Sequence, residues 1–406
     1  MRKPGNVEQI LVTAVIPCLN EERTIAICVG KARRSFEELG VTGEVVVVDN
    51  GSTDRTAEVA AALGARVVAE PEKGYGAALR AGIEAAHGRI IVMGDGDDSY
   101  DWAAIAPFVR KIQEGYDLVI GNRFKGGILP GAMPPLHRYL GNPVLSAITR
   151  LAFGVKVGDV HCGMRAFTRD AFARLHMGTP GMEFATEMIA NAARQGLRVA
   201  EVPTRLYPDK RGRPPHLRTF RDGWRHLRFI LTHAPDYLYL GPGALLLGGG
   251  LLLQLLLVRG PIQLGGSTFG IHYLALGAML TLVGFNVINL GVLAKAIMAQ
   301  RYPVLKSRML ELLTGRYTLE FGLIAGALLM LVGLTVDGVI LAGRLANPGE
   351  AMGGTVHLAF VATTLVVLGL NLVFSSFLLS MLITSRPSAM RGDSPPGNST
   401  RETTMP

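Results

Sequence analysis

The stretch Arg89-Ile90-Ile91-Val92-Met93-Gly94-Asp95-Gly96-Asp97-Asp98-Ser99 decides the fold class of this chain. A short apolar run, typical of a buried strand, ends abruptly in carboxylates at Asp95, Asp97 and Asp98. A buried parallel strand delivers its carboxyl end to the crevice in which α/β proteins bind ligands. Carboxylates two residues apart on such a turn suit a hard cation, Mg²⁺ or Mn²⁺, held against a diphosphate. A solvated turn without a ligand would explain the same cluster, so the neighbouring segments have to decide.

Strands and helices alternate regularly over the first half of the chain. The apolar runs predict strands at 10–16, 44–48, 65–69, 90–93 and 118–120, with helices between them at 22–39, 53–63, 76–86 and 102–114. This order predicts an α/β fold with a doubly wound, mostly parallel sheet and helices on both faces. Polar clusters follow the first, second and fourth strands, where the carboxyl edge of such a sheet binds ligands. This coincidence favours a ligand site over a solvated turn.

The second half of the chain is strongly apolar. Mean hydropathy over the whole sequence is +0.31, and four segments are long enough to cross a bilayer as helices, at about 238–258, 272–294, 319–342 and 357–383. The connection between the second and third segments contains five cations, Lys295, Arg301, Lys306, Arg308 and Arg316. By the positive-inside rule this connection is cytoplasmic. We therefore expect an integral membrane protein with four spans, whose two termini and amino-terminal half are cytoplasmic.

The formal net charge of the chain is +9, and many of its cations lie between residues 198 and 228. Such a block could bind nucleic acid, a phosphate-bearing substrate or an anionic membrane surface. Because it directly precedes the first apolar segment, we expect a membrane surface and no nucleic acid. Residues 214–235 separate apolar side chains and arginines into two stripes, which predicts an amphipathic helix that lies in the membrane interface or packs on its own domain. The last residues, 386–406, are rich in Ser, Pro, Thr and Gly and predict a disordered tail.

Four motifs occur in the order of a known family. Residues 15–22 read VIPCLNEE, residues 47–54 VVDNGSTD, residues 73–76 KGYG and residues 95–97 DGD. Over roughly residues 8–230 the chain resembles the family 2 glycosyltransferases of the GT-A fold. Within them it is similar to the polyprenyl-phosphate hexose synthases, which include dolichol-phosphate mannose and glucose synthases. The resemblance implies a GT-A catalytic domain at 1–213, the amphipathic helix at 214–235, a four-helix membrane domain at 236–385 and the tail.

The resemblance also implies a nucleotide-sugar site. Its contacts would come from the strand ends and the glycine-rich loop: Pro17, Asn20, Glu22, Asp49, Gly51, Ser52, Lys73, Gly74, Asp95 and Gly96. Asp95 and Asp97 match the DxD motif of the family, which implies metal and diphosphate contacts. Ser99 stands where relatives often carry a glutamine that binds the metal. The implied cofactor is Mg²⁺ or Mn²⁺, with Asp95, Asp97 and Ser99 as its ligands.

A lipid phosphate acceptor requires cations, and arginine can grip a phosphate in a bidentate way. By resemblance, the acceptor-phosphate contacts are Arg123, Arg138, Arg165, Arg205 and Arg211. The alternative for each is an ordinary ion pair with a surface carboxylate. The catalytic residues implied are Asp97, Arg123 and Asp159, with Asp159 orienting the sugar or contributing to the metal shell.

The implied reaction is an inverting displacement that moves a hexose from a nucleotide sugar, of the UDP-glucose or GDP-mannose type, to the phosphate of a polyprenyl phosphate. Because the nucleophile is already an oxyanion, positioning and charge neutralisation are expected to be sufficient. One alternative is a processive polysaccharide synthase, but the nearest string to its Gln-x-x-Arg-Trp motif, residues 221–225, does not match. A second is a lipid-sugar transporter with a nucleotide-sensing domain, although few polar residues lie inside the spans. The membrane helices would anchor the enzyme or join homo-oligomers.

Overall fold

The computed structural model describes residues 10–212, 219–301, 318–347 and 355–384. The chain divides into two compact units between Tyr237 and Leu238, which we call the amino-terminal and carboxyl-terminal units. Some of the predicted features lie outside the described residues: the start of the amphipathic helix, the tail, and Lys306, Arg308 and Arg316 of the connection used to predict orientation.

The amino-terminal unit is built on one seven-stranded sheet. Its strands are β1 Val12–Cys18, β2 Gly43–Asp49, β3 Arg66–Ala69, β4 Ile90–Met93, β5 Leu118–Asn122, β6 Arg165–Thr168 and β7 Val199–Pro203. They lie in the order β3-β2-β1-β4-β6-β5-β7. All neighbouring pairs are parallel except the two that β6 makes with β4 and β5. The predicted α/β fold with a mostly parallel sheet is confirmed, and strands β6 and β7 are additions that the sequence did not reveal.

Nine helices of this unit are described. They are α1 Ile25–Leu39, α2 Thr56–Ala62, α3 Tyr75–Ala85, α4 Ala106–Gln113, α5 Arg123–Gly126, α6 Asn142–Phe153, α7 Arg169–Leu175, α8 Phe184–Arg194 and α9 Thr219–His233. The helix predicted at 102–114 is interrupted. Asp101 caps a 3₁₀ turn, Trp102–Ala104, by accepting from the Ala103 backbone N–H at 3.2 Å. A new helix then begins around Pro107, which suits a first turn because it has no N–H to satisfy.

The opening stretch occupies the middle of the sheet. All four residues of β4 are buried between β1 and β6, which explains why they are uniformly apolar. Because Met93 pairs with Val15, β4 ends three residues before β1 does, and its turn runs along the end of β1. At Gly96 a Cβ atom would lie 2.8 Å from the Cys18 sulfur, so this close approach requires glycine. The Asp95–Asp97 turn is thereby held against the end of β1.

Helix α9, which covers most of the predicted amphipathic segment, packs one face on its own unit. Asp222, His226, Phe229 and Ile230 are buried there. His226 Nδ1 lies 2.8 Å from the Thr186 hydroxyl of α8, and burial lowers the pKa of His226 to about 4, so this contact involves a neutral ring. The opposite side leaves Phe220 84% and Trp224 58% exposed. The packed arrangement is therefore present, and exposed aromatic rings remain on the outer face.

The carboxyl-terminal unit contains helices α10 Gly241–Leu257, α11 Ile271–Arg301, α12 Thr318–Ala346 and α13 Thr355–Thr384, with a small hairpin of β8 Ile262–Leu264 and β9 Ser267–Phe269. Four helical segments are long and apolar enough to cross a membrane: Asp236–Leu257, Ile271–Ala299, Leu319–Ala346 and Thr355–Leu382. This confirms the predicted integral membrane protein, and its orientation stays a prediction. Helices α10 and α11 approach closely at Gly250 and Gly277, where the Gln254 amide donates to Thr281 at 2.7 Å.

Candidate active site

A cavity of about 470 Å³ lies at the carboxyl ends of β1, β2 and β4. This is the edge of the sheet at which the polar segments after the first, second and fourth predicted strands were expected to meet. Residues from seven segments of the amino-terminal unit line it: Pro17, Cys18, Leu19, Glu21, Asn50, Lys73, Gly74, Tyr75, Ala78, Asp95, Gly96, Asp97, Gly181, Met182, Arg211, Arg221, Asp222 and Arg225. The lining therefore includes Pro17, Lys73, Gly74, Asp95, Gly96, Asp97 and Arg211 from the sequence predictions.

Asp95 faces the cavity in a partly protected environment. Its Oδ1 accepts a hydrogen bond from the Tyr75 hydroxyl at 2.9 Å, and its carbonyl oxygen accepts from the Trp102 indole N–H at 3.0 Å. Burial and the nearby charge of Asp97 raise the pKa of Asp95 to about 6, although the Tyr75 hydrogen bond lowers it. Asp95 is therefore a carboxyl that a bound cation would convert fully to its ionised form near neutral pH.

Asp97 is held by its own turn and by a cation from a distant segment. Its Oδ1 accepts from the Ser99 backbone N–H at 3.0 Å, and its Oδ2 contacts the Arg211 guanidinium. Arg211 also lies 3.6 Å from Glu21 Oε1. The turn thus presents a carboxylate that already binds positive charge inside the cavity.

The last two residues of the acidic turn, Asp98 and Ser99, do not line the cavity. Asp98 adopts a left-handed backbone conformation with φ of 59° and pairs with Lys31 at 2.7 Å and Lys210 at 2.6 Å. It is buried rather than solvated, and it does not line the cavity. Ser99, which the sequence predicted as a metal ligand, is also buried outside the lining. The left-handed step at Asp98 turns the chain away from the cavity before Ser99, and the role of Ser99 as a metal ligand stays a prediction.

The glycine-rich loop is positioned by Asn50, a cavity residue of the VVDNGSTD segment for which the sequence predicted no contact. Its Nδ2 donates to the carbonyl oxygens of Glu70 and Glu72, and its Oδ1 accepts from the Gly74 backbone N–H at 2.8 Å. These three bonds place Lys73 and Gly74 beside the end of β2. At Gly74 a Cβ atom would lie 2.1 Å from the Pro180 carbonyl oxygen, so only glycine fits.

Several predicted nucleotide contacts instead tie two loops together. The Asn20 backbone N–H donates to the Ser52 hydroxyl at 2.9 Å, and Asp49 Oδ1 accepts from the Ser52 backbone N–H at 3.0 Å. Glu22 accepts from the Arg55 backbone N–H at 3.2 Å. These four residues and Gly51 lie outside the cavity lining. The neighbouring Glu21 lines the cavity in place of Glu22, and the sequence carried no signal to separate the two acids.

Arg123 and Asp159, both predicted to be catalytic, form a buried ion pair. The guanidinium donates to both carboxylate oxygens, at 2.7 and 2.8 Å, and the Arg123 backbone N–H adds a bond at 3.0 Å. Glu201 fixes the same loop by accepting from the backbone N–H groups of Gly158 and Asp159. Asp159 is fully buried with both oxygens bonded, which is incompatible with the predicted contact to sugar or metal in this conformation. The pair instead positions the end of β5.

The remaining predicted acceptor arginines differ in their surroundings. Arg165 is fully buried and donates to the carbonyl oxygens of Val160, Cys162 and Ala185 at 2.7–3.0 Å, so its predicted contact with phosphate is wrong. All three of its nitrogens are used to hold the chain. Arg138 makes one long bond, 3.5 Å, to the Ile128 carbonyl oxygen, and Arg205 is exposed. Neither lines the cavity.

Residues 13–175 match the family described as glycosyl transferase family 2, and residues 292–383 match the glycosyltransferase family 2 C-terminal transmembrane region. The chain is 39% identical over 372 residues to the low-salt glycan biosynthesis hexosyltransferase Agl6 of Haloferax volcanii, covering 91% of this chain and 89% of that protein. It is 33% identical over 192 residues to a dolichyl-phosphate hexose transferase of the same organism, covering 47% and 81% respectively. A solved glucosyl-3-phosphoglycerate synthase from Mycobacterium tuberculosis, in complex with Mn²⁺ and uridine-diphosphate, aligns with 57% of this chain and 84% of its own at 24% identity and a TM-score of 0.42. The chain therefore belongs to the family 2 glycosyltransferases and is a membrane-embedded member with the C-terminal transmembrane region of that family.

Proposed function

We propose that this enzyme transfers a hexose, with inversion, from a nucleotide sugar to the phosphate of a membrane polyprenyl phosphate. The observation that carries the proposal is the composition of the cavity wall. Acids for a metal–diphosphate group, Asp95 and Asp97, share one cavity with Arg221 and Arg225 of α9, the helix that precedes the first span in sequence. The names of two relatives, a hexosyltransferase and a dolichyl-phosphate hexose transferase, support the same donor and acceptor classes.

The cavity suits a nucleotide sugar of the UDP-glucose or GDP-mannose type. Its volume of about 470 Å³ falls within the range of roughly 300–1,000 Å³ usual for small-molecule sites. The Lys73 side chain at one wall supplies a cation, and Gly74 allows close approach of the backbone. Asp95 offers an acceptor for ribose or diphosphate-bound metal.

Asp95 and Asp97 fit Mg²⁺ or Mn²⁺ because their oxygens are hard ligands and Asp97 already contacts a cation, the Arg211 guanidinium. Within the described residues, His, Cys, Asp and Glu form no group of three that could enclose an ion. Such a metal would therefore take the rest of its ligands from the substrate diphosphate and water, as Mg²⁺ commonly does. When bound, it would neutralise the charge of the leaving diphosphate.

The protein's own contribution to the reaction is positioning. A phosphate oxygen of the acceptor forms the new bond to the anomeric carbon while the bond to the diphosphate breaks on the opposite face, so the configuration inverts. Because a phosphate oxygen is already ionised at neutral pH, no residue has to remove a proton from it. The buried Arg123–Asp159 pair supports the cavity without touching substrate. The Arg211 guanidinium would release Asp97 and bind the incoming diphosphate or acceptor phosphate instead.

The surface of the amino-terminal unit supports an acceptor that arrives from a membrane. Large apolar side chains are exposed along a π-helical turn, His137–Gly141, and the helix α6 that follows it. They recur at helical spacing and include Tyr139, Leu140, Val144 and Leu151, which are 73%, 56%, 45% and 62% exposed. Exposed apolar stripes of this kind mark protein or membrane contacts.

The test is a lipid-product assay with membranes containing the full chain. Polyprenyl phosphate, Mg²⁺ or Mn²⁺, and each of a panel of radiolabelled nucleotide sugars are supplied, and organic-soluble label is measured. We expect one donor to give a lipid product that mild acid releases. Long polymer in place of lipid product, or no product from any donor, would overturn the proposal.

A pair of matched variants ties the assay to the site. Asp97→Asn should abolish transfer, because it removes the charge at the metal and diphosphate position. Asp101→Asn makes the same chemical change just beyond the cavity and should retain activity, since asparagine can still cap the turn at Ala103. Near-normal transfer by Asp97→Asn would exclude this carboxylate from the site.

A further inference from the structure

Helix α9 presents two arginines to the cavity that none of the predicted substrate contacts includes. Arg221 and Arg225 are four residues apart, so they lie on the same face of the helix one turn from each other. Both line the cavity together with Asp95, Asp97 and Arg211. Phe220 and Trp224 each precede one of these arginines and are largely exposed. Successive turns of one helix therefore carry a cation on the cavity side and an aromatic ring on the outer side.

The rotation of α9 about its axis is fixed by contacts within this pair of turns and after it. Thr186 of α8 hydrogen bonds to His226 at 2.8 Å, and Arg194 of α8 donates to the His233 carbonyl oxygen at 2.7 Å. Asp222, between the two arginines, is buried and lies 3.9 Å from the Arg225 guanidinium. The two arginines are consequently directed at the cavity by a packed helix rather than by a mobile loop.

The charges of the cavity indicate where an added anion would bind. Arg211 is balanced by Asp97 and Glu21, while Arg225 has only the longer contact with Asp222 among the described ion pairs. A phosphate monoester carries about −1.5 to −2 charges near neutral pH. Two guanidinium groups one turn apart match that charge and can bind its oxygens in a bidentate way.

We infer that Arg221 and Arg225 of α9 form the subsite for the acceptor phosphate, so that the lipid headgroup is bound by the helix that leads to the first span. This inference rests on the proposed function. The same chemistry would also recognise the diphosphate of the donor. The exposed Phe220 and Trp224 favour the acceptor, because a prenyl chain attached to the phosphate needs an apolar surface next to the cations.

The test compares Arg221→Ala, Arg225→Ala and the double variant with Arg228→Ala, all in the full chain in detergent micelles or liposomes. Arg228 lies on the same helix and is exposed, but it does not line the cavity. Initial rates are measured against polyprenyl phosphate concentration at saturating nucleotide sugar, with a long-chain acceptor and with a short-chain, water-soluble one. Affinity for the free nucleoside diphosphate with Mn²⁺ is measured separately, and an unchanged melting temperature shows that each variant is folded.

Each single alanine variant should raise the acceptor KM about tenfold or more for both chain lengths, because it removes a charge-assisted hydrogen bond to the acceptor phosphate. Nucleoside diphosphate affinity should stay within about twofold, as should both values for Arg228→Ala. Arg225→Lys should recover part of the loss, since it restores the charge but not the bidentate fork.

Three results would overturn the inference. Equal loss of nucleoside diphosphate affinity would assign the arginines to the donor, and an effect confined to the long-chain acceptor would assign them to the lipid surface. Unchanged acceptor KM in the double variant would remove them from substrate binding while leaving the proposed function intact. If the wild-type enzyme itself formed no lipid product, the proposed function would fail first and the inference with it.

Discussion

Replacing Arg165 with lysine should destabilise the amino-terminal unit and leave acceptor binding unchanged. The Arg165 side chain is fully buried, and its three nitrogens donate to the carbonyl oxygens of Val160, Cys162 and Ala185. Burial lowers the pKa of Arg165, and carbonyl oxygens rather than a carboxylate accept its hydrogen bonds. The sequence alone placed this arginine at the acceptor phosphate, so the variant separates the two roles.

The magnitude follows from the bonds that lysine fails to make. A single ammonium group on a differently shaped chain can reach one of the three widely spaced carbonyls, which leaves about two of them without a donor. Each unsatisfied buried polar group costs about 1–3 kcal/mol, so we expect a loss of about 2–4 kcal/mol after relaxation. At about 2–4 °C per kcal/mol for a unit of this size, the melting temperature should fall by roughly 5–15 °C.

Intrinsic tryptophan fluorescence during heating measures this change in the intact, detergent-solubilised protein. Both tryptophans of the chain, Trp102 and Trp224, lie in the amino-terminal unit, so the signal reports on that unit. Arg138→Lys is the matched control, because among the described residues Arg138 makes one long hydrogen bond and one cation–π contact, with Tyr139, and lysine keeps the charge, so the exchange should cost no more than about 0.5 kcal/mol. An Arg165→Lys protein with a wild-type melting temperature and a tenfold higher acceptor KM would refute the structural role.

The remaining predictions concern the cavity. Because burial and Asp97 raise the pKa of metal-free Asp95 to about 6, protons should compete with the divalent cation as the pH drops through 6, and the rate at subsaturating metal should fall with it. The same shift makes folded Asp95 bind more protons than the unfolded chain between about pH 4 and 6, so its contribution to the free energy of unfolding decreases as the pH rises through that window. Tyr75→Phe removes a hydrogen bond that favours the carboxylate and should move the acidic limb of the pH–rate profile to higher pH; coincident profiles would contradict this. Gly74→Ala should lower transfer at least tenfold, because its Cβ would overlap the Pro180 carbonyl oxygen, whereas Gly30→Ala, with open space around its Cβ, should leave the rate unchanged. Removal of divalent metal with EDTA should abolish transfer, and Mg²⁺ or Mn²⁺ should restore it; full activity in EDTA would argue against the role given to Asp95 and Asp97.

Much of the donor side of the cavity could be predicted because it depends on local sequence. Strand β4 lies where the apolar run predicts it, and the acidic turn follows it directly. The polar segments after β1 and β2 reach the same edge because parallel strands end on the same side of a sheet. Lys73 and Gly74 join them at the start of α3. For these residues, the apolar pattern of the strands and the order of the segments along the chain were sufficient to predict their place at the cavity.

The assignment of individual arginines and acids could not be made in the same way. Glu21 and Glu22 are adjacent and chemically alike, but the left-handed backbone at Asn20, with φ of 58°, helps determine which of them faces the cavity. Arg165 and Arg211 both lie in segments that resemble substrate-binding motifs. One is fully buried among backbone carbonyls and the other reaches Asp97 from 114 residues away. Burial and long-range pairing decide such cases, and neither is encoded in local spacing.

Helix α9 shows the same division. The separation of arginines and apolar residues into stripes predicted an amphipathic helix, and the following apolar segment predicted its place before a membrane span. Only the packing of α9 on α8 revealed that Arg221 and Arg225 face a cavity whose lining residues outside this helix are spread over the chain from Pro17 to Arg211. The sequence by itself determined the fold class, the four spans and the acidic turn, because each depends on the order of residues within a few turns of helix or strand. Tertiary structure alone decided which charges bind each other and which remain for substrate, because the free energy of a buried charge depends on the partners that the fold brings to it.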